Sequence, residues 1–271
     1  MNYHVDHNNK LIYFWFPKGG VTSIIEFIMY TQTGRDLSSS EDDSLTHSLY
    51  WNEFINRPSG SNPDLYSNYK SIIFTRTLHY RIVSCWYDKF IDVDSPTLNV
   101  CSNSNINTFT KFLQLLEDTY INRKYIQDVH FNHHFQKINT SSGFRFWNRI
   151  NATPHHIFYL PEKYIPDGKL VQNHKHIKIL LAHINKPELI YEDIQHMYHL
   201  SPEWQQKINK PTYYKDLTNA SYWEIRKLLE QGERFDWSCF VNDDTIKIIN
   251  KIYKQTIIFA NKYNIPLCND N

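Results

Sequence analysis

The sequence lacks a long apolar run, a surplus of either charge and any patterned cysteine. No stretch of its 271 residues approaches the roughly 18 apolar residues of a membrane-spanning helix. The opening MNYHVDHNNK is polar and has no apolar signal-peptide core. The expectation is a soluble cytoplasmic protein without a membrane partner. Lys and Arg total 29 against 28 Asp and Glu, so no global field recruits nucleic acid or an anionic membrane. Any anion must be bound by local groups. The four cysteines, Cys85, Cys101, Cys239 and Cys268, form no CxxC pair or metal spacing and read as free thiols. There is no internal repeat and no linker-like stretch. With 41% hydrophobic content, residues 1–271 are expected to form a single domain with a full core.

What is present centres on LIYFWFPKGGVTSIIEFIM, from Leu11 to Met29. The run LIYFWF is aromatic and β-branched, short, and stopped by Pro17, which predicts a buried strand. Gly19 and Gly20 permit a turn whose consecutive N–H groups face inward as an anion nest. Thr22 or Ser23 is placed to cap a helix whose core face is Ile24, Ile25, Phe27 and Ile28. A phosphate or sulfate there would meet backbone donors, the positive end of a helix dipole and the Lys18 ammonium. The order is wrong for a nucleoside-triphosphatase loop: GxxxxGK(S/T) has lysine after the glycines, and PKGGVTS has it before.

Along the chain, residues 33–64 are polar, with SSSEDDS and RPSGSNPD as loop signals and a short helix expected around Trp51, Phe54 and Ile55. SIIFT at 71–75 is a second buried strand, running into a helix with Leu78, Ile82, Val83, Trp86 and Phe90 at helical spacing. A polar loop over 95–107 precedes a helix at 108–120, and HIFYL at 156–160 is a third strand. HIKILLAHI is a strand or a helix start; 187–200 and 221–231 read as helices. Residues 243–263 read as one long helix, acidic at its start and basic at its end. Alternating strands and helices predict an α/β fold, a central parallel sheet flanked by helices.

Arg76 stands at the carboxyl end of the second strand, where open parallel sheets place ligands. Ser84 lies eight positions on, so the two bracket one anion only if Arg76 reaches back from its loop. Two oxyanion sites after neighbouring strands suit a nucleoside with phosphate at both ends. PKGGVTS resembles the 5′-phosphosulfate loop of sulfotransferases that use 3′-phosphoadenosine 5′-phosphosulfate (PAPS). TRTLHYRIVSCWYDKF resembles their 3′-phosphate segment, which in the carbohydrate sulfotransferase branch reads roughly R-(D/N)-P-x-x-R-L-V-S-x-(W/Y/F)-x-x-K-F. Arg76, Arg81, Val83, Ser84, Lys89 and Phe90 are in register, while Thr77 and Leu78 replace the acid or amide and the proline. DVHFNHHFQ is similar to a D-x-H-(F/W)-x-P-Q segment, with His130 and Phe131 aligned and His133 in place of proline. YKDLTNASYWEIRKLL and NKIYKQTIIF resemble the family's C-terminal helices, with Thr256 in place of aspartate.

The resemblance implies a P-loop-like three-layer sandwich and sulfuryl transfer from PAPS to a hydroxyl or amine of a sugar or small polar metabolite, without a metal. Lys18 would act at the leaving phosphate. Gly19, Gly20, Val21, Thr22 and Ser23 would hold the 5′-phosphate, and Arg76 and Ser84 the 3′-phosphate. His130 would be the base, with His133, His134, His79 and Glu26 as rivals. The membrane anchor of Golgi members has no counterpart here, and the expected class is a soluble member. Three other readings stand beside this one: a nucleotide-binding module without turnover, a small-molecule kinase, and a metal site on His130, His133 and His134. Trp51, Tyr213 and Tyr214 are candidates for stacking on adenine.

Overall fold

The computed structural model describes residues 1–17, 21–33, 63–91, 106–121, 138, 141–159, 212–265 and 267. The chain divides into two compact units. One comprises Met1–Thr75, Ser141–Leu160 and Lys169–Met197; the other comprises Arg76–Thr140, Pro161–Gly168 and Tyr198–Asn271.

The first unit holds a four-stranded sheet in the order β1-β2-β3-β4. The aromatic run forms β2 (Leu11–Trp15), buried at every position, as befits an inner strand covered on both faces. β3 (Lys70–Thr75) runs parallel to it, with Trp15 opposite Phe74. β4 (Pro154–Tyr159) is parallel to β3. The sheet is nevertheless mixed, which corrects the expectation of a parallel one. β1 (Asn2–Asp6) pairs antiparallel with β2, because the short turn between them can only fold the chain straight back. The Asp6 carboxylate fixes that turn by accepting from the N–H groups of Asn8 and Asn9, each at 3.0 Å, and from the Asn9 side chain at 2.8 Å. Lys10 completes it in the left-handed region, at φ 52°.

Strand alternation sends Tyr3 and His4 to opposite faces of the sheet. On the Tyr3 face lies α4 (Ser142–Arg149). Phe146 stacks on Tyr3 at 4.3 Å, and Trp147 meets Phe14 edge-on at 4.8 Å. On the other face, Gln32 of α1 (Val21–Thr33) hydrogen-bonds His4 Nε2 at 2.8 Å. The sheet of this unit thus carries a helix on each side, an α/β arrangement.

The second unit is helical among its described residues. α2 (Leu78–Trp86) passes into a π-helical turn, Tyr87–Ile91. α3 (Phe109–Tyr120) is capped by Thr108, whose hydroxyl accepts from Lys111 N–H at 3.2 Å. α5 (Tyr222–Glu230) opens with a reciprocal Ser221–Glu224 capping box. A 3-10 turn, Trp237–Phe240, leads to α6 (Asp243–Ile252) and α7 (Lys254–Lys262). Trp86, Phe109 and Phe240 form an aromatic core with centroids 5.3–5.9 Å apart, and Phe90 meets Phe112 at 5.0 Å. Each fully buried side chain of this size contributes roughly 1.5–3 kcal/mol. Residues 243–263 are two helices, where one was expected. Tyr253 leaves helical geometry (ψ 18°), and its carbonyl accepts from both Thr256 and Ile257. No glycine or proline marks the break; Tyr253 sits there almost fully buried.

The helix expected around Trp51 and the elements expected over 176–184 and 187–200 lie outside the described residues. No helix among the described residues is long and apolar enough to cross a membrane.

Candidate functional site

Because β2 and β3 are adjacent and parallel, their carboxyl ends lie side by side at one edge of the sheet. β2 leads into the PKGG stretch of the sequence and β3 into Arg76. Lys18, Gly19 and Gly20 lie outside the described residues. α1 already begins at Val21, so Thr22 and Ser23 belong to its first turn and are not cap residues. The amides of Val21, Thr22 and Ser23 are therefore among those a helix leaves without internal acceptors. No acidic residue occupies that turn, so no carboxylate of its own offsets the positive end of the helix dipole.

Arg76 is buried, 5% exposed, and its guanidinium carbon lies 5.4 Å from the centre of the Tyr80 ring. The side chain therefore folds back along the first turn of α2. Tyr80 and Ser84 are four apart on α2 and share its face, so Arg76, Tyr80 and Ser84 form one stripe. Ser84 is half-buried at the end of that stripe. Thr77, standing where an acid or amide was expected, makes no side-chain cap; the first amide of α2, that of Leu78, donates instead to the Leu267 carbonyl at 2.6 Å. No sequence pattern pointed to Leu267.

Two further cations are buried on the same segment: Arg81 at 5% and Lys89 at 7% exposure. Burial pushes the Arg81 pKa down to about 10, with partial compensation from Tyr253 and Cys85. The same burial raises the Tyr253 and Tyr120 phenols. The segment thus carries three buried cationic side chains, Arg76, Arg81 and Lys89.

His79 lies flat against Trp237, at 6.4 Å and 5° between planes, and its Nε2 has no hydrogen-bond partner among the described residues. Burial lowers its pKa. His130, His133 and His134 lie outside the described residues, as does the Glu26 side chain. Among the described residues no group of three or more His, Cys, Asp or Glu could hold a metal ion. Of the aromatic candidates, Tyr213 packs edge-on against Phe235 at 5.6 Å, Tyr214 is 71% exposed, and Trp51 is not described.

A model of the sulfotransferase family matches residues 1–153. The chain belongs to the sulfotransferase family. The match covers the PKGGVTS stretch, the Arg76–Phe90 segment and the His130 segment, while the aromatic candidates Tyr213 and Tyr214 fall beyond it. Beyond it fall β4 and the helices from α5 onward, including Thr256. That side chain accepts from the Ile138 amide at 3.4 Å, a structural contact within the second unit. Comparisons with curated proteins and with solved structures find no match.

Proposed function

We propose that residues 1–271 act as one PAPS-dependent sulfotransferase domain that transfers a sulfuryl group to a hydroxyl or amine of a sugar or small polar metabolite. The observation that carries this reading is Arg76 folded back over Tyr80 on the stripe that ends at Ser84. That geometry supplies a guanidinium fork and a hydroxyl to a phosphate monoester, the group that distinguishes PAPS from simpler adenosine 5′-phosphates. The neighbouring strand end, which opens into PKGGVTS and α1, supports assigning the 5′-phosphate there.

In this scheme the acceptor oxygen or nitrogen attacks sulfur in line. The bond from sulfur to the 5′-phosphate oxygen breaks, and its electron pair leaves with adenosine 3′,5′-bisphosphate. Lys18 neutralises the charge growing on that oxygen. The amides of Gly19, Gly20, Val21, Thr22 and Ser23, with the two hydroxyls, hold the phosphate still; Arg76 and Ser84 hold the far end of the nucleotide. Positioning and fixed electrostatics provide most of the acceleration in such transfers. His130 takes the acceptor proton, a contribution of about 10²–10⁴ in rate. The scheme calls for no metal ion, and the site of action is the cytoplasm.

Calorimetry with adenosine 3′,5′-bisphosphate, paired with labelled PAPS and a panel of acceptors, tests the proposal. A charged hydrogen bond contributes roughly 1.5–3 kcal/mol. Arg76→Ala and Ser84→Ala should therefore each weaken the bisphosphate about tenfold or more while leaving adenosine 5′-monophosphate little changed. Equal affinity of the wild type for both nucleotides would exclude the reading. Binding without transfer to any acceptor would instead assign a nucleotide-binding module.

A further inference from the structure

The π-helical turn that closes α2 ends on carbonyls for which a helix offers no amide partner. A residue 135 positions away supplies the donors. Arg226 Nε donates to the Ile91 carbonyl at 2.8 Å, and Nη2 reaches the Phe90 carbonyl at 3.5 Å. The guanidinium is held in place by two rings of its own helix, Tyr222 at 5.3 Å and Trp223 at 5.2 Å. The helix that carries it is fixed at its start: Glu224 accepts from the Ser221 amide at 2.7 Å and from its hydroxyl at 2.8 Å. Arg226 is therefore a rigid cationic clamp on the end of the Arg76–Ile91 segment, where positive charge also complements the helix dipole.

The clamp connects to the candidate anion stripe through the backbone. Tyr87, the first residue of the π turn, donates its N–H to the carbonyls of Ser84 and Val83. Lys89 is buried inside that turn. A π turn holds one more residue per turn than the α-helix before it and is less stable when left open. Releasing Phe90 and Ile91 lets the turn relax toward α geometry, which rotates Lys89 and shifts the hydrogen bonds on Ser84.

We infer that Arg226 is a positioning residue for the 3′-phosphate side of the donor site, holding Ser84 and Lys89 in place without touching the nucleotide. This rests on the assignment of Arg76 and Ser84 to the 3′-phosphate. Its signature is selectivity, since a general loss of stability weakens all adenosine nucleotides alike.

The test measures the binding of adenosine 3′,5′-bisphosphate and adenosine 5′-monophosphate to the full chain by calorimetry. Wild type, Ser84→Ala, Arg226→Met and Arg226→Lys are compared. Couplings of this kind change affinity about two- to thirtyfold. Arg226→Met should lose that much of the preference for the bisphosphate, with monophosphate binding unchanged within about twofold. Lysine keeps the charge and loses the fork, so Arg226→Lys should fall between. If the methionine variant does not fold, the lysine variant decides: an unchanged preference overturns the inference. A preference that persists in Arg226→Met, or an equal loss for both nucleotides, overturns it too and leaves the site assignment standing. A wild type or a Ser84→Ala variant that shows the assignment itself to be wrong removes the inference with it.

Discussion

Replacing Gly143 by alanine should destabilise the first unit, although helix propensity alone argues the reverse. Gly143 lies inside α4, where alanine is worth up to about 1 kcal/mol more than glycine. Its backbone, however, touches β1. The Gly143 N–H donates to the Met1 carbonyl at 3.2 Å, and an added Cβ would stand 2.6 Å from that same oxygen and 3.0 Å from the Asn2 carbonyl carbon and oxygen. These are backbone atoms, and Asn2 is locked opposite Trp15 in the β1–β2 ladder, so they cannot swing aside as a side-chain tip would. Relief requires α4 to lift, which loosens Phe146 from Tyr3 and Trp147 from Phe14. Overpacking of this kind costs about 1–3 kcal/mol, toward the upper end where the clashing atoms are backbone, and the net after the propensity gain is a loss of up to about 2 kcal/mol. Urea denaturation followed by hydrogen exchange at residues 2–6 and 11–15 reads this directly. Ser142→Ala, at an exposed position of the same helix, is the control and should stay within about 0.5 kcal/mol of wild type. A Gly143→Ala protein as stable as wild type, with unchanged protection in β1, would refute the close-contact argument.

Other outcomes follow from the same kind of reasoning. His79 is held neutral by burial. Below its unfolded pKa of about 6.5 the unfolded chain takes a proton first, so the His79 contribution is intact above that pH and is lost as pH falls. His79→Phe keeps the ring against Trp237 and should flatten the wild-type loss of thermal stability as pH falls below about 6.5; identical pH profiles would exclude the effect. His130→Ala should retain affinity for adenosine 3′,5′-bisphosphate and lose turnover by about 10²-fold or more, measured with labelled PAPS; wild-type turnover would remove it from the mechanism. Asn242→Ala removes the side chain that accepts from Thr245 N–H at 3.1 Å and donates to Asp216 at 3.0 Å and to Thr218 at 3.1 Å. A loss of about 1 kcal/mol in denaturant unfolding is expected.

Sequence pattern located the three parallel strands well, because LIYFW, SIIFT and HIFYL are short apolar runs with clear stops. It also located the helix starts at Thr108 and Ser221, whose side chains do cap them. β1 escaped notice because its two buried residues, His4 and Asp6, are polar while its apolar Tyr3 and Val5 are only half-buried. α4 was missed since SGFRFWNR is short and carries glycine at its second position. The break falls at Tyr253, a buried residue, with no glycine or proline to mark it in the sequence. Residue spacing made the Arg76–Ser84 pairing conditional on the arginine reaching back; the structure shows its guanidinium over Tyr80, one helical turn before Ser84. Leu267 and Arg226 act through backbone carbonyls at long range, and no pattern within one segment reveals such contacts.

Because β2 is paired on both edges, in opposite senses with β1 and β3, it cannot slide by one residue without breaking two ladders and inverting Tyr13 and Phe14 across the sheet. The chain that leaves its carboxyl end at Phe16 and Pro17 therefore departs from a fixed height, whatever residues follow.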